Sequence, residues 1–339
     1  MDAPRSGHRV LAAPDKFRGT ASAPEVAAAV ARAATAAGWM CDGAPVADGG
    51  EGTLDALGGR VRRTVVRGPL GAPVEAEWRT DGRTAVVEMA RASGLTLVGG
   101  AAANDPLHAS TYGTGELIAA AVEQGARQVI IGVGGSATTD GGLGAVTALG
   151  GSLAGIDVVV ACDVTTRFVD AADVFAPQKG ATPAQVALLR RRLERLAEVY
   201  VRDYGIDVRD IEGGGAAGGL AGGLAALGAR LVPGFEVVAD AIGLAERLAA
   251  ADLVVTGEGF LDDQSFHGKA VGGVVELAAE AGVPCLVVAG DVLDGLTVPA
   301  GGPVEVVSLV ARFGDTRATG EVLACVEQVV GERLRRDVR

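Results

Sequence analysis

The sequence is poor in aromatic residues, cysteine and histidine, and no apolar run is long enough to span a membrane. Aromatics make up 4% of the 339 residues, so the cores have to be built from alanine, valine and leucine. Side chains of that size suit helices packed tightly on a parallel sheet. Cys41, Cys162, Cys285 and Cys325 are scattered, with no CxxC pair. They read as small buried hydrophobes in a reducing compartment, not as disulfides or zinc ligands. Three dispersed histidines argue against a histidine-built metal site. The opening stretch MDAPRSGHRVLAAP has no long apolar core and no cleavage signal, so a cytoplasmic protein is expected. Basic residues are outnumbered 30 to 42, giving a net charge of −12. Such a surface argues against nucleic acid or anionic membrane as partner. Three motifs are also missing: GxxxxGK[ST], the HRD and DFG pair, and a GxGxxG after the first strand. Their absence excludes a P-loop kinase and a protein kinase, and leaves a nicotinamide enzyme with little support.

Glycine is abundant instead. There are 52, roughly twice the usual share. They cluster between apolar runs without a regular period, as tight strand-to-helix turns would have them.

The stretch RVLAAP (9–14) reads as a buried strand, and SAPEVAAAVARAATAAG (22–38) as a helix capped by Ser22 and stopped by Gly38. The texture then changes. VRRTVVRGPLGAPVEAEWRT and RTAVVEMA look like sheet with hairpin connections. TGELIAAAVEQGA (114–126) is helical, and QVIIGVGGSA (128–137) and IDVVVACDV (156–164) are strands. PAQVALLRRRLERLAEVYVRDYG (183–205) is an amphipathic helix with Leu189, Leu193 and Leu196 on one face. GGGAAGGLAGGLAALGA (213–229) reads as a helix of small residues packed close to a neighbour. Alternating strands and helices return from ADLVVTGEG onward. The expected fold is α/β with two domains. A doubly wound, Rossmann- or flavodoxin-like parallel-sheet domain is formed by both chain ends, 1–59 and 239–339. A second α/β domain, 60–238, is inserted, with the active site in the cleft between them.

Five glycine-and-charge clusters follow or flank apolar strands: APDKFRGT (13–20), VADGGEGT (46–53), GVGGSATTDGG (132–142), APQKGATP (176–183) and TGEGFLDDQSFHGK (256–269). Ligands of open α/β sheets bind at the carboxyl ends of strands, and helix N-termini and glycine-rich backbone there bind anions. Each cluster alone is also what a tight turn with solvated charges looks like. Five of them, each carrying Asp, Glu or Lys, are hard to explain as turns.

These residues resemble the bacterial glycerate kinase family, type 1. APDKFRGTASAPEVAAAV, PVADGGEGTLDAL, STYGTGELIAAAVEQGA, IIGVGGSATTDGGLGAVTALG, VFAPQKGATP, GAAGGLAGGLAALGARLVPG and DLVVTGEGFLDDQSFHGKA resemble family blocks in the same order, from Arg9 to about Asp291. The chain departs from the pattern in a shortened GSLAG segment, in TTRFVDAADVF after ACDV, and at Phe260, where many relatives carry a basic residue. The resemblance implies ATP- and Mg²⁺-dependent phosphorylation of D-glycerate, giving 2-phosphoglycerate in preference to 3-phosphoglycerate. A kinase for another small hydroxy acid, or a glycerate-binding sensor of the same fold, remain alternatives. The oligomeric state, monomer or homodimer, stays open.

Phosphoryl transfer needs charge neutralisation on the phosphates, a metal and an aligned hydroxyl. The cationic candidates are Lys16, Arg18, Lys179 and Lys269, with Arg18 suited to the glycerate carboxylate. Asp48 and Glu258 are the first choices for Mg²⁺. Asp163 is the first choice for orienting the attacking hydroxyl, followed by Asp15, although either could instead cap a turn. Backbone at Gly49, Gly50, Gly52, Gly134, Gly135, Gly257 and Gly259, with Ser136, Asp140, Gln178, Asp262 and Gln264 beside it, is expected to bind substrate and nucleotide.

Overall fold

Alternate residues of the first strand, β1 (Arg9–Ala12), join different cores. Val10 and Ala12 pack with Val30, Leu286 and Val326, whereas Leu11 packs with Val254, Val287 and Val274. A strand that is apolar on both faces needs helices on both sides of its sheet. The computed structural model, which describes residues 7–17, 19–266, 269–297 and 302–337, shows that arrangement. β2 (Met40–Gly43), β9 (Leu253–Leu261), β10 (Cys285–Val292) and β11 (Val304–Ser308) complete a parallel sheet in the order β11–β10–β9–β1–β2. Strands from the two ends of the chain therefore share one doubly wound sheet. The helix Ala23–Ala36 covers one face, and its capping is local. Glu25 accepts hydrogen bonds from the Ser22 backbone N–H (2.8 Å) and hydroxyl (2.7 Å).

The inserted unit has its own sheet of β3 (Arg60–Arg67), β4 (Pro73–Thr80), β5 (Thr84–Glu88), β6 (Gln128–Gly132), β7 (Asp157–Ala161) and β8 (Arg230–Val232), in that order. The first three are antiparallel, as the hairpin texture predicts; β5 to β8 are parallel. Trp78, Val129, Ile131, Val160 and Leu117 form its main core. Leu189, Leu193 and Tyr200 of the helix Pro183–Tyr204 form a second with Phe168.

The two compact units divide at 48/49 and 234/235, earlier than the sequence texture suggests at both points. The reason is local. The backbone N–H groups of Gly52 and Leu54 donate to Glu88 Oε1 at the end of β5 (2.9 and 3.2 Å), which ties GGEGT and the helix Thr53–Leu57 to the inserted sheet. Phe235 packs with Leu244 and Val274 of the terminal unit, and its ring fills the space where a Cβ on Gly273 would stand.

The small-residue segment is not a continuous helix. Within Ala216–Ala226 the backbone turns left-handed at Ala217 (φ 52°), Gly218 (φ 69°) and Gly219 (φ 91°). The close approach is real: a Cβ on Gly218 would lie 1.9 Å from the Thr138 carbonyl oxygen. Gly218→Ala should therefore cost about 3 kcal/mol or more, combining left-handed strain with overpacking against backbone. Denaturant unfolding measures this; a loss under about 1 kcal/mol would contradict the contact.

Candidate active site

In a parallel sheet, neighbouring strands end on the same edge. Asp15 and Lys16 follow β1, Asp48 follows β2, and Glu258 lies in the adjacent β9. The Asp15 N–H donates to the Gly257 carbonyl (2.9 Å), which keeps the loop after β1 against β9. These side chains line a cavity of about 220 Å³ in the terminal unit with Asp262, Ser265, Lys269 and the start of the helix Ala270–Ala281. The helix directs unpaired N–H groups and its positive end toward that space.

The cavity is electrostatically tense. Asp15 is 7% exposed, and burial pushes its carboxyl up to about 6; Lys16 opposes this and Asp48 adds to it. Lys16 Nζ lies 3.6 Å from Asp15 Oδ1 and 3.7 Å from Asp48 Oδ1, one cation shared by two carboxylates. Burial likewise raises Glu258 to about 6, against a hydrogen bond from Ser265, with Asp15 raising it further. Among the described residues, the buried Glu258 Oε1 has no hydrogen-bond partner. An orphaned carboxylate oxygen beside other hard oxygens fits Mg²⁺, which takes one or two carboxylates and completes its shell with water and phosphate. No group of three or more His, Cys, Asp or Glu able to hold a metal occurs among the described residues. A cation bound here would thus need non-protein ligands as well.

The inserted unit carries a polar cluster of its own. Lys179 ends the short turn Pro177–Lys179 and is 6% exposed. Its Nζ donates to Ser136 Oγ (2.7 Å) and the Thr138 carbonyl (2.6 Å). Burial lowers its pKa to about 7, with Asp140 pulling the other way. Asp140 is occupied by its own chain. It accepts from Thr111 N–H (2.8 Å), Thr111 Oγ1 (2.9 Å), Gly142 N–H (3.1 Å) and Gly144 N–H (3.2 Å), and so caps the helix Leu143–Ala148.

Several of the other sequence-predicted residues have structural surroundings of their own. A Cβ on Gly49 would lie 2.9 Å from Gly234 Cα, and one on Gly134 would lie 3.1 Å from Gly50 Cα. At these two positions the missing side chain makes room for neighbouring protein backbone. Gly257 and Gly259 are inside β9, as the reading of ADLVVTGEG as a strand expects, and a Cβ on Gly257 would meet the Val288 carbonyl oxygen at 1.8 Å. Asp163 is exposed, and its Oδ1 accepts from the Gly234 N–H (2.6 Å), the capping arrangement. Gln178, Gln264 and Gly135 are exposed, and Gly52 precedes the helix Thr53–Leu57 in a left-handed conformation. Arg18 lies outside the described residues. Ser265 lies within the TGEGFLDDQSFHGK cluster but is not singled out there, and Glu88 carries no sequence motif that marks it. One available signal was lysine scarcity: the chain has three lysines, Lys16, Lys179 and Lys269, and each falls in a glycine-and-charge cluster.

Carboxylates, ammonium groups and a helix N-terminus at the strand ends of an α/β unit are the equipment of a phosphotransferase. The comparisons agree. The family model described as the glycerate kinase family matches residues 10–155 and 151–330. The chain is 41% identical over 334 residues to a glycerate 2-kinase of Escherichia coli K12, covering 86% of this chain and 87% of that one. It is 42% identical over 329 residues to a glycerate kinase of Bacillus subtilis 168, covering 84% and 85%. A crystal structure from Salmonella typhimurium LT2, described as a candidate glycerate kinase 2, matches with a TM-score of 0.84 at 36% identity, covering 98% of this chain and 100% of that one. The chain belongs to the glycerate kinase family and is a kinase. No helix among the described residues is long and apolar enough to cross a membrane.

Proposed function

We propose that the protein transfers the γ-phosphoryl group of ATP to D-glycerate, giving 2-phosphoglycerate, with Mg²⁺ held by Asp48 and Glu258. The observation that carries this reading is the cavity where Asp15, Lys16, Asp48, Glu258 and Lys269 converge beside a helix N-terminus. Mg²⁺ bound there would neutralise charge on the phosphate oxygens. Lys16, Lys269 and the first N–H groups of Ala270–Ala281 bind phosphate oxygens. Lys179 places its ammonium on the charge that builds in the transition state. Asp15, whose raised pKa suits proton acceptance, orients the glycerate hydroxyl and takes its proton. Asp163 is set second because its carboxylate already holds the Gly234 N–H. Arg18 is assigned to the glycerate carboxylate by residue type. A cytoplasmic setting is supported by free cysteines, of which Cys285 is buried with its thiol pushed up to about 12.

ADP release measured over a panel of small hydroxy acids tests the substrate. D-Glycerate should give the highest kcat/KM; another acid preferred by about tenfold, worth about 1.4 kcal/mol, would overturn the assignment. The pH dependence of kcat/KM should be a bell. Activity is lost as pH falls through about 6, where Asp15 and Glu258 take up protons, and as it rises above about 7, where Lys179 loses its own. A flat profile between roughly pH 5 and roughly pH 9 would contradict these roles.

A further inference from the structure

Asn104 follows the short turn Ala101–Ala103, outside every glycine-and-charge cluster of the sequence. Its Nδ2 donates to the Ala137 carbonyl (3.0 Å) and the Lys179 carbonyl (2.9 Å). Both partners can only accept, so the orientation of the amide is dictated by chemistry. Lys179 closes the ring from the other side. Its Nζ is bonded to Ser136 Oγ and the Thr138 carbonyl, the residues on either side of Ala137. A second contact locks the same two segments together, since a Cβ on Gly180 would lie 2.2 Å from the Ala101 carbonyl oxygen. The far side of the Ser136 loop is fixed by the Ala137 N–H donating to the Ser93 carbonyl (2.9 Å).

We propose that Asn104 is a positioning residue for Lys179: it holds the chain at Lys179 against the loop Ser136–Thr138 so that the ammonium is presented at one fixed point. The proposal rests on the reading that Lys179 serves phosphoryl transfer. An ammonium has three N–H donors, and the two bonded inside the protein leave one for a phosphate oxygen. Without the amide, the turn carrying Lys179 loses its backbone tie to the Ser136 loop, and the ammonium's own two bonds have to hold it there. Water then reaches the ammonium, and the burial that depresses its pKa is relieved.

The surrounding charges are accounted for. Asp140, on the Ser136 loop, acts on the ammonium. Asp105, next to Asn104, is bonded to His108, and Asp170 and Asp173, beside and on the helix Ala171–Phe175, pair with Arg190. The Phe175 ring centroid lies 6.0 Å from Nζ.

Because the chain has three lysines, protein labelled with ¹³C at the lysine ε-carbon gives three signals, and Lys179→Ala identifies the one that belongs to Lys179. Asn104→Leu keeps the shape and removes both donors; Asn104→Ala is the second variant should the first fail to fold. Lys179 should titrate about one pH unit or more higher in the variant. In the same protein, kcat should fall about tenfold or more, with a smaller change in KM. An unmoved or lowered Lys179 titration in a folded variant overturns the positioning role. The separate failure, of the reading it rests on, shows as undiminished turnover in Lys179→Ala.

Discussion

Lys179→Ala should, on the proposed role of its ammonium, lower kcat by about a thousandfold while leaving the fold intact, because a cation serving phosphoryl transfer acts as charge builds in the transition state. Lys179→Arg should not restore activity. The ammonium is held at 2.7 and 2.6 Å by Ser136 and the Thr138 carbonyl, and a planar guanidinium cannot occupy that point without moving backbone. Every other basic residue outside the three clustered lysines is arginine, so lysine at 179 is a choice of ammonium over guanidinium. Stability should move oppositely to activity. The folded-state pKa is lowered from 10.5 to about 7, so below about 7 both folded and unfolded chains carry the proton and the full burial penalty applies. Between about 7 and 10.5 the unfolded chain binds the proton that the folded chain has lost, and stability rises with pH. Lys179→Met should remove that dependence and be the more stable protein at pH below about 7. A loss of kcat under about tenfold would remove Lys179 from transition-state stabilisation.

Asp48→Asn and Glu258→Gln should each raise the Mg²⁺ concentration needed for half-maximal rate by about a hundredfold or more, since a hard-cation site with few protein ligands tolerates no loss of charge. Asn and Gln are close in shape to the residues they replace, so a purely structural carboxylate would tolerate the change. Glu258→Gln has a further signature. Burial raises the Glu258 pKa from 4.5 to about 6, so the folded chain keeps its proton longer than the unfolded one. Stability without metal therefore falls as pH rises across that window, and the glutamine variant should be the more stable protein at pH 8, roughly two units above it. Thermal melts of the metal-free proteins read this directly. Wild-type Mg²⁺ dependence in both variants would move the metal elsewhere.

Burial decides which elements were legible. The apolar runs in RVLAAP and PCLVVAGDV declare themselves because β1 and β10 are covered on both faces. The edge strands β2 and β8 do not: MCDG and RLV are short and half-exposed, so no alternation marks them. TGEG reads as the end of the strand ADLVVTGEG despite its glycines, and Gly257 is what lets β9 lie against the Val288 carbonyl. The left-handed passage at Ala217 had no local signal, since alanine is the best helix former and rarely adopts that backbone. In the site, Asp15, Lys16, Asp48, Glu258, Asp262 and Lys269 were visible as charges standing among small residues, and one cavity gathers them. Asp140 looked the same in sequence but is consumed by Thr111, Gly142 and Gly144, partners no spacing rule connects to it. Glu88 and Asn104 carry no motif. What they do follows from tertiary contacts with Gly52, Ala137 and Lys179.

The proposed reaction is transfer of a phosphoryl group from ATP to D-glycerate. Following one reaction mixture of the protein, D-glycerate and MgATP by ³¹P NMR tests it most directly, because donor, by-product and product are seen together. The expected result is loss of the γ-phosphate signal of ATP matched by growth of ADP and of a single phosphomonoester, 2-phosphoglycerate. ATP left intact in the presence of D-glycerate, or turned over to inorganic phosphate with no phosphoglycerate formed, would contradict it.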